Sequence, residues 1–245
     1  MSTLRTARGD LHALVDPPAS LISDLSDHGE PGGYVDRLRD EVHAREIADA
    51  EERWPTARRD VVVLGDDELA DDVATALREL SVRVERGTEV SHIPPCASLV
   101  ISVAATRQER ACWAELDRLP ERGVGWIRAY REDAVWFVDP VAFTPEDPTA
   151  HHVLRRRIAA APDPIRAEAY ARTDVPTPAP AIRVGRALTT ARVLTVSLAW
   201  AQRSPDLELF SVTLWKFVSC TGRVSEHPIL GYPEPAEGVT TVPRE

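Results

Sequence analysis

The sequence predicts an α/β fold: a mainly parallel sheet with helices on its faces, preceded by a small helical module. Three observations carry the prediction. Asp60-Val61-Val62-Val63-Leu64-Gly65 is a β-branched run ending in glycine, after which Leu69, Val73, Ala76, Leu77 and Leu80 recur on one helical face. Ser98-Leu99-Val100-Ile101-Ser102-Val103 is a near-continuous apolar run, the pattern of a parallel strand covered on both sides. From Arg59 onward strands and helices alternate, which selects a layered sandwich.

The elements follow in order. Residues 1–54 read as the helical module, with Leu11, Leu14 and Val15, then Leu21, Ile22 and Leu25, then Val35, Leu38 and Val42 at helical spacing. Pro17-Pro18 and Pro31-Gly32-Gly33 divide them into three short helices, and Trp54-Pro55-Thr56-Ala57-Arg58 reads as the linker. The main domain spans 59–233. Its strand-turn-helix opening is Rossmann-like, and Val82-Arg83-Val84 is a second strand. A helix is expected from Arg107 to Leu119, then strands at Val124–Tyr130 and Ala134–Val138 joined by Arg131-Glu132-Asp133. A proline-rich loop follows Pro140, then a basic helix over Val153–Ala161 and a second loop with Pro176, Pro178 and Pro180. A long apolar helix at Ala187–Gln202 leads into strands at Leu207–Val218 and Arg223–Leu230, joined by a turn at Thr221-Gly222. Residues 234–245 read as a flexible tail.

Bulk properties exclude several roles. A formal net charge of −10 opposes phosphate tracking, so no nucleic-acid partner is expected. Lys216 is the only lysine, so any lysine chemistry must use that position; by its place in the chain it reads as an edge or surface strand residue. Cys96, Cys112 and Cys220 show no CxxC spacing, and such sparse cysteine fits a reducing compartment without disulfides. No apolar signal core or membrane-length run is present, which predicts a soluble, cytoplasmic protein without membrane contact.

The turn Gly65-Asp66-Asp67-Glu68 occupies the place of a Rossmann phosphate loop, where bare N–H groups at a helix start approach a pyrophosphate. Only the first glycine is kept, so Gly65 is the single cofactor-binding candidate. Three carboxylates stand where the anion would lie, and they suit a helix start on their own account. His151 and His152 are adjacent on a predicted helix and so point about 100° apart. With Arg155 and Arg156 at the next turn they complete no metal site and read as part of a solvated basic face. Asp71-Asp72 likewise reads as a solvated helix face. GxSxG, HExxH and Walker A patterns are absent, so no catalytic residue and no metal ligand is nominated. Tryptophans 113, 126, 136, 200 and 215 are expected in the core.

The ordered set from Arg59 to Pro233 resembles the ThiF-like "ocin" proteins, partner subunits of YcaO cyclodehydratases in thiazole/oxazole-modified microcin and thiopeptide biosynthesis. The parts that carry the resemblance are the strand-glycine-helix at Val61–Leu80, the Ser98–Val103 strand and Gly125-Trp126-Ile127. They continue with Trp136-Phe137-Val138-Asp139-Pro140, where members have a strand ending in Gly-Pro, then the long helix and the hairpin from Trp215 to Pro233. Members often carry a zinc tetrad from two CxxC pairs. Here those regions read Pro148-Thr149-Ala150-His151-His152 and Pro233-Glu234-Pro235-Ala236, which implies that zinc has been lost. ATP chemistry in these pathways is attributed to the YcaO partner, in keeping with the degenerate loop at Gly65. Members often begin with a winged-helix module that captures the leader peptide as an added strand. Residues 11–53 would be its remnant, and the ten residues before them are too few for its three-stranded sheet.

The resemblance therefore implies a ThiF-type domain that is a non-catalytic partner of a YcaO-type cyclodehydratase, with the precursor peptide as a further partner and pairing of two copies through this domain. The alternative is an ATP-dependent ThiF-like enzyme that adenylates a small carboxylate. A third reading is a free-standing Rossmann-like scaffold with a regulatory role.

Overall fold

The computed structural model describes residues 2–5, 11–14, 33–173 and 183–229. The chain divides into two compact units, Met1–Glu51 and Glu52–Glu245. In the first, β1 (Ser2–Arg5) and β2 (Leu11–Leu14) form an antiparallel ladder with Ser2 opposite Leu14 and Arg5 opposite Leu11. A 21-residue helix, α1 (Gly33–Arg53), comes later. The expected all-helical module is thus corrected: Leu11 and Leu14 belong to a strand, and four-residue strands are too short for period-two alternation to declare them. The expected helix at Leu21–Leu25 and the tail at 234–245 lie outside the described residues.

The second unit contains, among the described residues, a sheet of seven strands in the order β4-β3-β5-β6-β7-β8-β9. These are β3 (Asp60–Leu64), β4 (Arg83–Gly87), β5 (Leu99–Ala104), β6 (Gly125–Glu132), β7 (Val135–Val138), β8 (Thr213–Val218) and β9 (Arg223–Pro228). The first four strands in the order are parallel, and from β6 to β9 each strand is antiparallel to its neighbour. The sheet is therefore mixed rather than mainly parallel. The reason is connectivity: β3, β4, β5 and β6 are joined by crossovers, whereas tight turns join β6 to β7 and β8 to β9 and reverse the chain.

Two apolar layers cover the sheet. On one face Val61, Val63, Ile101, Ile127, Trp136, Trp215 and Phe217 pack with α2 (Glu68–Glu79) and α6 (Arg183–Gln202). On the other, Val62, Val100, Trp126, Tyr130, Phe137 and Leu214 pack with α3 (Trp113–Leu116) and α4 (Ala150–Ala159). All five tryptophans expected in the core are buried, as is Trp54. Between α4 and α6 lies α5 (Pro164–Ala171), and α7 (Asp206–Phe210) precedes β8.

Three expectations are corrected here. The helix at Arg107–Leu119 is broken into a 3-10 turn at Glu109–Cys112, the single turn of α3, and a 3-10 turn at Leu119–Arg122. Pro120 lacks an N–H to continue a regular helix, and Gly123 at φ 73° ends the segment. Leu207–Phe210 is helical rather than strand; the alternation Leu207-Glu208-Leu209 imitated a strand, but Pro205 and two acidic residues in the first turn start a helix. Trp54–Arg58 is not a free linker: Trp54 is fully buried, its Nε1 donates to the Arg58 carbonyl at 2.8 Å, and the Arg58 guanidinium lies 4.7 Å over the Trp200 ring.

Candidate functional site

In an open α/β sheet, ligands bind beyond the carboxyl ends of the parallel strands. Gly65 stands at that edge, one residue past β3, with its N–H donating to the Gly87 carbonyl at 2.9 Å. Its φ is 135°, and a Cβ there would lie 2.7 Å from the Val103 carbonyl oxygen. Both features require glycine for reasons of packing alone. Three amide donors nearby are taken by the chain's own carboxylates. Asp67 caps α2 by accepting from the Ala70 N–H at 3.0 Å. Glu109 turns back to accept from the Ala105 and Thr106 N–H groups at 2.5 and 3.2 Å, just past β5. Burial pushes the Asp67 carboxyl above its ordinary value against the Ala70 hydrogen bond, and the charge of Glu109 adds to the rise. Asp71 and Asp72 are not simply solvated: Asp71 pairs with Arg86 at 3.0 Å and Asp72 with Arg186 at 2.6 Å. Gly65→Ala is expected to lower stability by about 1–3 kcal/mol through strain and overlap. A urea unfolding curve checks it; an unchanged midpoint would mean that the turn relaxes freely.

Further along the same edge lies a cavity of about 790 Å³, bounded by the ends of β5 and β6, by α4 and α5, and by β8 and β9. Phe137 and Lys216 of its floor belong to a cross-strand row. Tyr130 faces Phe137, and Phe137 faces Lys216, so all three share one side of the sheet. The Tyr130 and Phe137 rings stack at 4.9 Å, and the Arg157 guanidinium lies 4.1 Å over Phe137. Glu132 ties the wall together, accepting from Arg110 at 2.7 Å and from both terminal nitrogens of Arg157. Burial alone would raise the Glu132 carboxyl, but the hydrogen bonds and charges of Arg157 and Arg110 outweigh it and hold the group below its ordinary value. Six cationic side chains line the cavity against two carboxylates, in a chain of net charge −10.

Lys216 is among those six, and its expected edge position is corrected: β8 runs between β7 and β9, and Lys216 is half-buried on the cavity side. Its strand alternates cleanly, with Leu214 and Lys216 toward the cavity and Trp215 and Phe217 in the opposite core layer. The histidine pair is likewise only partly solvated. His151 is exposed, whereas His152 is buried and its Nδ1 accepts from the Thr149 N–H at 3.2 Å, closing a capping box at the start of α4. Arg155 and Arg156 are exposed, but Arg157 turns into the cavity wall.

Beneath this wall a fully buried charge anchors β6. Arg128 donates to Asp139 and Asp117, each at 3.0 Å, and to the carbonyls of Pro140 and Pro148 at 3.1 and 2.9 Å. Asp117 in turn accepts from the Ala150 N–H at 3.0 Å, so one network joins the strand to the first turn of α4. Burial raises the Asp117 carboxyl to about 6, against the lowering effect of Arg128. Neither the cavity cluster nor this network was nominated from sequence. The available signal was Arg128 itself, a charge inside the otherwise apolar strand Gly125–Tyr130.

Among the described residues, no three His, Cys, Asp or Glu side chains are grouped to hold a metal, and no helix is long and apolar enough to cross a membrane. Cys96, Cys112 and Cys220 are free thiols.

No protein-family model matches the chain, and no curated protein matches it in sequence. Solved structures do match in fold. The heterocyclase TruD aligns at a TM-score of 0.52 and 15% identity over 89% of this chain, which spans only 36% of TruD. A chain of the E. coli microcin synthetase McbBCD complex aligns at 0.52 and 14% identity, covering 88% of this chain and 86% of that one. E. coli MccB aligns at 0.55 and 9% identity, covering 81% and 69%. The fold is thus one found in heterocyclase and microcin synthetase chains.

Proposed function

We propose that this chain is a non-catalytic partner of a YcaO-type cyclodehydratase, acting in azoline-forming modification of a ribosomally made peptide through a Rossmann-like, ThiF-type domain. The observation that carries the reading is the filling of the edge where a nucleotide would bind. Asp67 occupies the N-terminus of α2 and Glu109 occupies the turn after β5, so the amides of Ala70, Ala105 and Thr106 are already used. Displacing either carboxylate would break these hydrogen bonds, and the incoming anion would meet the charge of Asp66 as well. Likeness in fold to a microcin synthetase chain over most of both lengths supports the same pathway class. In this reading the ring-forming chemistry and its ATP belong to the cyclodehydratase, and this chain docks on it and helps to present the precursor peptide. The reading extends to a cytoplasmic complex, with pairing of two copies as a further proposal.

The test is co-purification of the chain with its cognate YcaO-type enzyme and precursor peptide, followed by the ring-forming rate with and without the chain. A stable complex and a rate raised at least several-fold are expected. A cyclodehydratase that is fully active alone and does not bind this chain would overturn the proposal. Saturable ATP binding by the isolated chain would favour the adenylating enzyme instead.

A further inference from the structure

We propose that the outer edge of β9 takes up an extended peptide as an added antiparallel strand, with a β-branched aliphatic residue of the peptide opposite Val224. This edge is separate from the filled turns at Gly65 and Glu109, and the inference does not depend on the cyclodehydratase reading.

The backbone supplies the first reason. Among the described residues β9 ends the sheet, with β8 on its inner side and no strand on its outer side. The Ile229 N–H donates to the Val212 carbonyl at 2.7 Å, one step beyond the Thr213 and Pro228 pair. Hydrogen-bonded pairs alternate along an antiparallel ladder, so His227, Ser225 and Arg223 bond to β8, whereas Val224 and Glu226 turn their N–H and C=O groups outward. Among the described residues no group bonds the outward backbone of Val224 or Glu226. The opposite edge of the sheet differs. There the Arg83 N–H donates to the Arg59 carbonyl at 2.9 Å, so Val84 faces outward, and its carbonyl is taken by the Arg78 guanidinium at 3.3 Å. An open row of alternating donors and acceptors is the template onto which an extended peptide adds. Pro228 has no N–H and closes that template at its end.

The side chains say what kind of strand fits. Trp136 faces Phe217 and Phe217 faces Val224, so an apolar row crosses β7, β8 and β9 and stops at the sheet edge, where Val224 is 49% exposed. An aliphatic residue on an added strand, directly opposite Val224, continues that row and covers it. On the other side of the sheet Ser225 and His227 are joined Oγ to Nε2 at 3.0 Å, and a hydroxyl residue opposite Ser225 suits that polar surface. A second copy of β9 is a poorer occupant. A two-fold antiparallel pairing that uses both outward donors must set Val224 against Glu226, and Arg223 against His227, of the other copy. The apolar row would then end on a carboxylate. A separate peptide carries no such constraint.

The test uses the full-length ¹⁵N-labelled chain and acetyl-Thr-Thr-Thr-Val-Thr-amide, whose valine is placed to meet Val224. In that register the second and fourth peptide residues turn their N–H groups toward β9 and the third turns its own away. In the free chain the Val224 and Glu226 amides should exchange with deuterated water faster than those of Ser225 and His227, which bond to β8. Added peptide should shift both outward amides saturably and slow their exchange. N-methylation of the third peptide residue should leave binding unchanged, and N-methylation of the second and fourth should weaken it more than about tenfold. Val224→Pro deletes an outward N–H without touching the ladder to β8 and should weaken binding about fivefold; Val224→Ser keeps the backbone donors and should weaken it about threefold. Slow exchange at Val224 and Glu226 in the free chain would mean that another segment already pairs with them and would overturn the assignment. So would equal binding of the two N-methylated peptides, no shift with any peptide, or the same shifts on raising the protein concentration alone.

Discussion

Arg128→Met will destabilise the protein by about 3–5 kcal/mol, the range measured when one member of a buried ion pair is removed. Arg128 has no exposed surface, and methionine fills much of its volume, so the loss is electrostatic rather than a cavity. Four acceptors lose a donor at once: Asp139, Asp117 and the carbonyls of Pro140 and Pro148. Asp139 is then a buried carboxylate that has lost its ion-pair partner, in a position where burial already raises its pKa against the pull of Arg128. The contact of the guanidinium with the Trp126 ring, at 4.6 Å, is lost as well. Urea unfolding followed by tryptophan fluorescence at pH 7 measures the effect. The double variant Arg128→Met/Asp139→Leu should recover part of the loss, because it removes the stranded carboxylate, but not all of it, because two carbonyls remain without a donor. A single variant within 1 kcal/mol of the wild type would show that water reaches the network and that β6 is not held to α4 in this way.

That network also marks the boundary of what the sequence makes legible. The strands over Val61–Leu64 and Leu99–Val103 and the face of α2 are written in local periodicity, because burial on two faces demands an apolar run and burial on one helical face demands a stripe. The Gly65 turn is legible too, since a glycine after a β-branched run has few local alternatives. By contrast, Arg110, Glu132 and Arg157 come from three different elements, and nothing in their spacing announces that they meet. Lys216 stands out by composition, yet its place inside the sheet depends on β9 pairing beyond it, a tertiary fact. The hairpin of β1 and β2 and the helix at Asp206–Phe210 fail for a related reason: elements of four or five residues are too short to show a period. Local pattern thus reached most of the scaffold, and it did not reach the cavity that the scaffold builds, although Arg128 and Lys216 were anomalies in it.

The second large effect is the part of the pH dependence of stability that Asp117→Asn should remove. Two carboxylates, Asp117 and Asp139, share one buried guanidinium, so each ionises against the charge of the other. Burial, opposed by Arg128 and the Ala150 N–H and reinforced by Asp139, raises the Asp117 carboxyl to about 6, above the ordinary 3.8. A group that holds its proton more tightly when folded stabilises the fold most at low pH. Its contribution is complete below the unfolded value and is lost as pH rises through the folded one. The wild type should therefore lose stability relative to Asp117→Asn between about pH 4 and pH 6, by on the order of 3 kcal/mol at 1.4 kcal/mol per pH unit. Other carboxylates act in both proteins, and the difference between the two urea-unfolding series at pH 4, 5, 6 and 7 removes them. Asp139 does not cancel fully, because neutralising Asp117 relieves it of a like charge, so the difference reports the pair and not one residue. Parallel curves across this range would mean that Asp117 is ionised throughout, held by Arg128 and the Ala150 N–H more strongly than burial opposes. Curves that part as pH rises, the wild type falling below Asp117→Asn, would identify the Asp117 proton as part of what fastens the first turn of α4, and through α4 the Arg157 wall of the cavity, to β6.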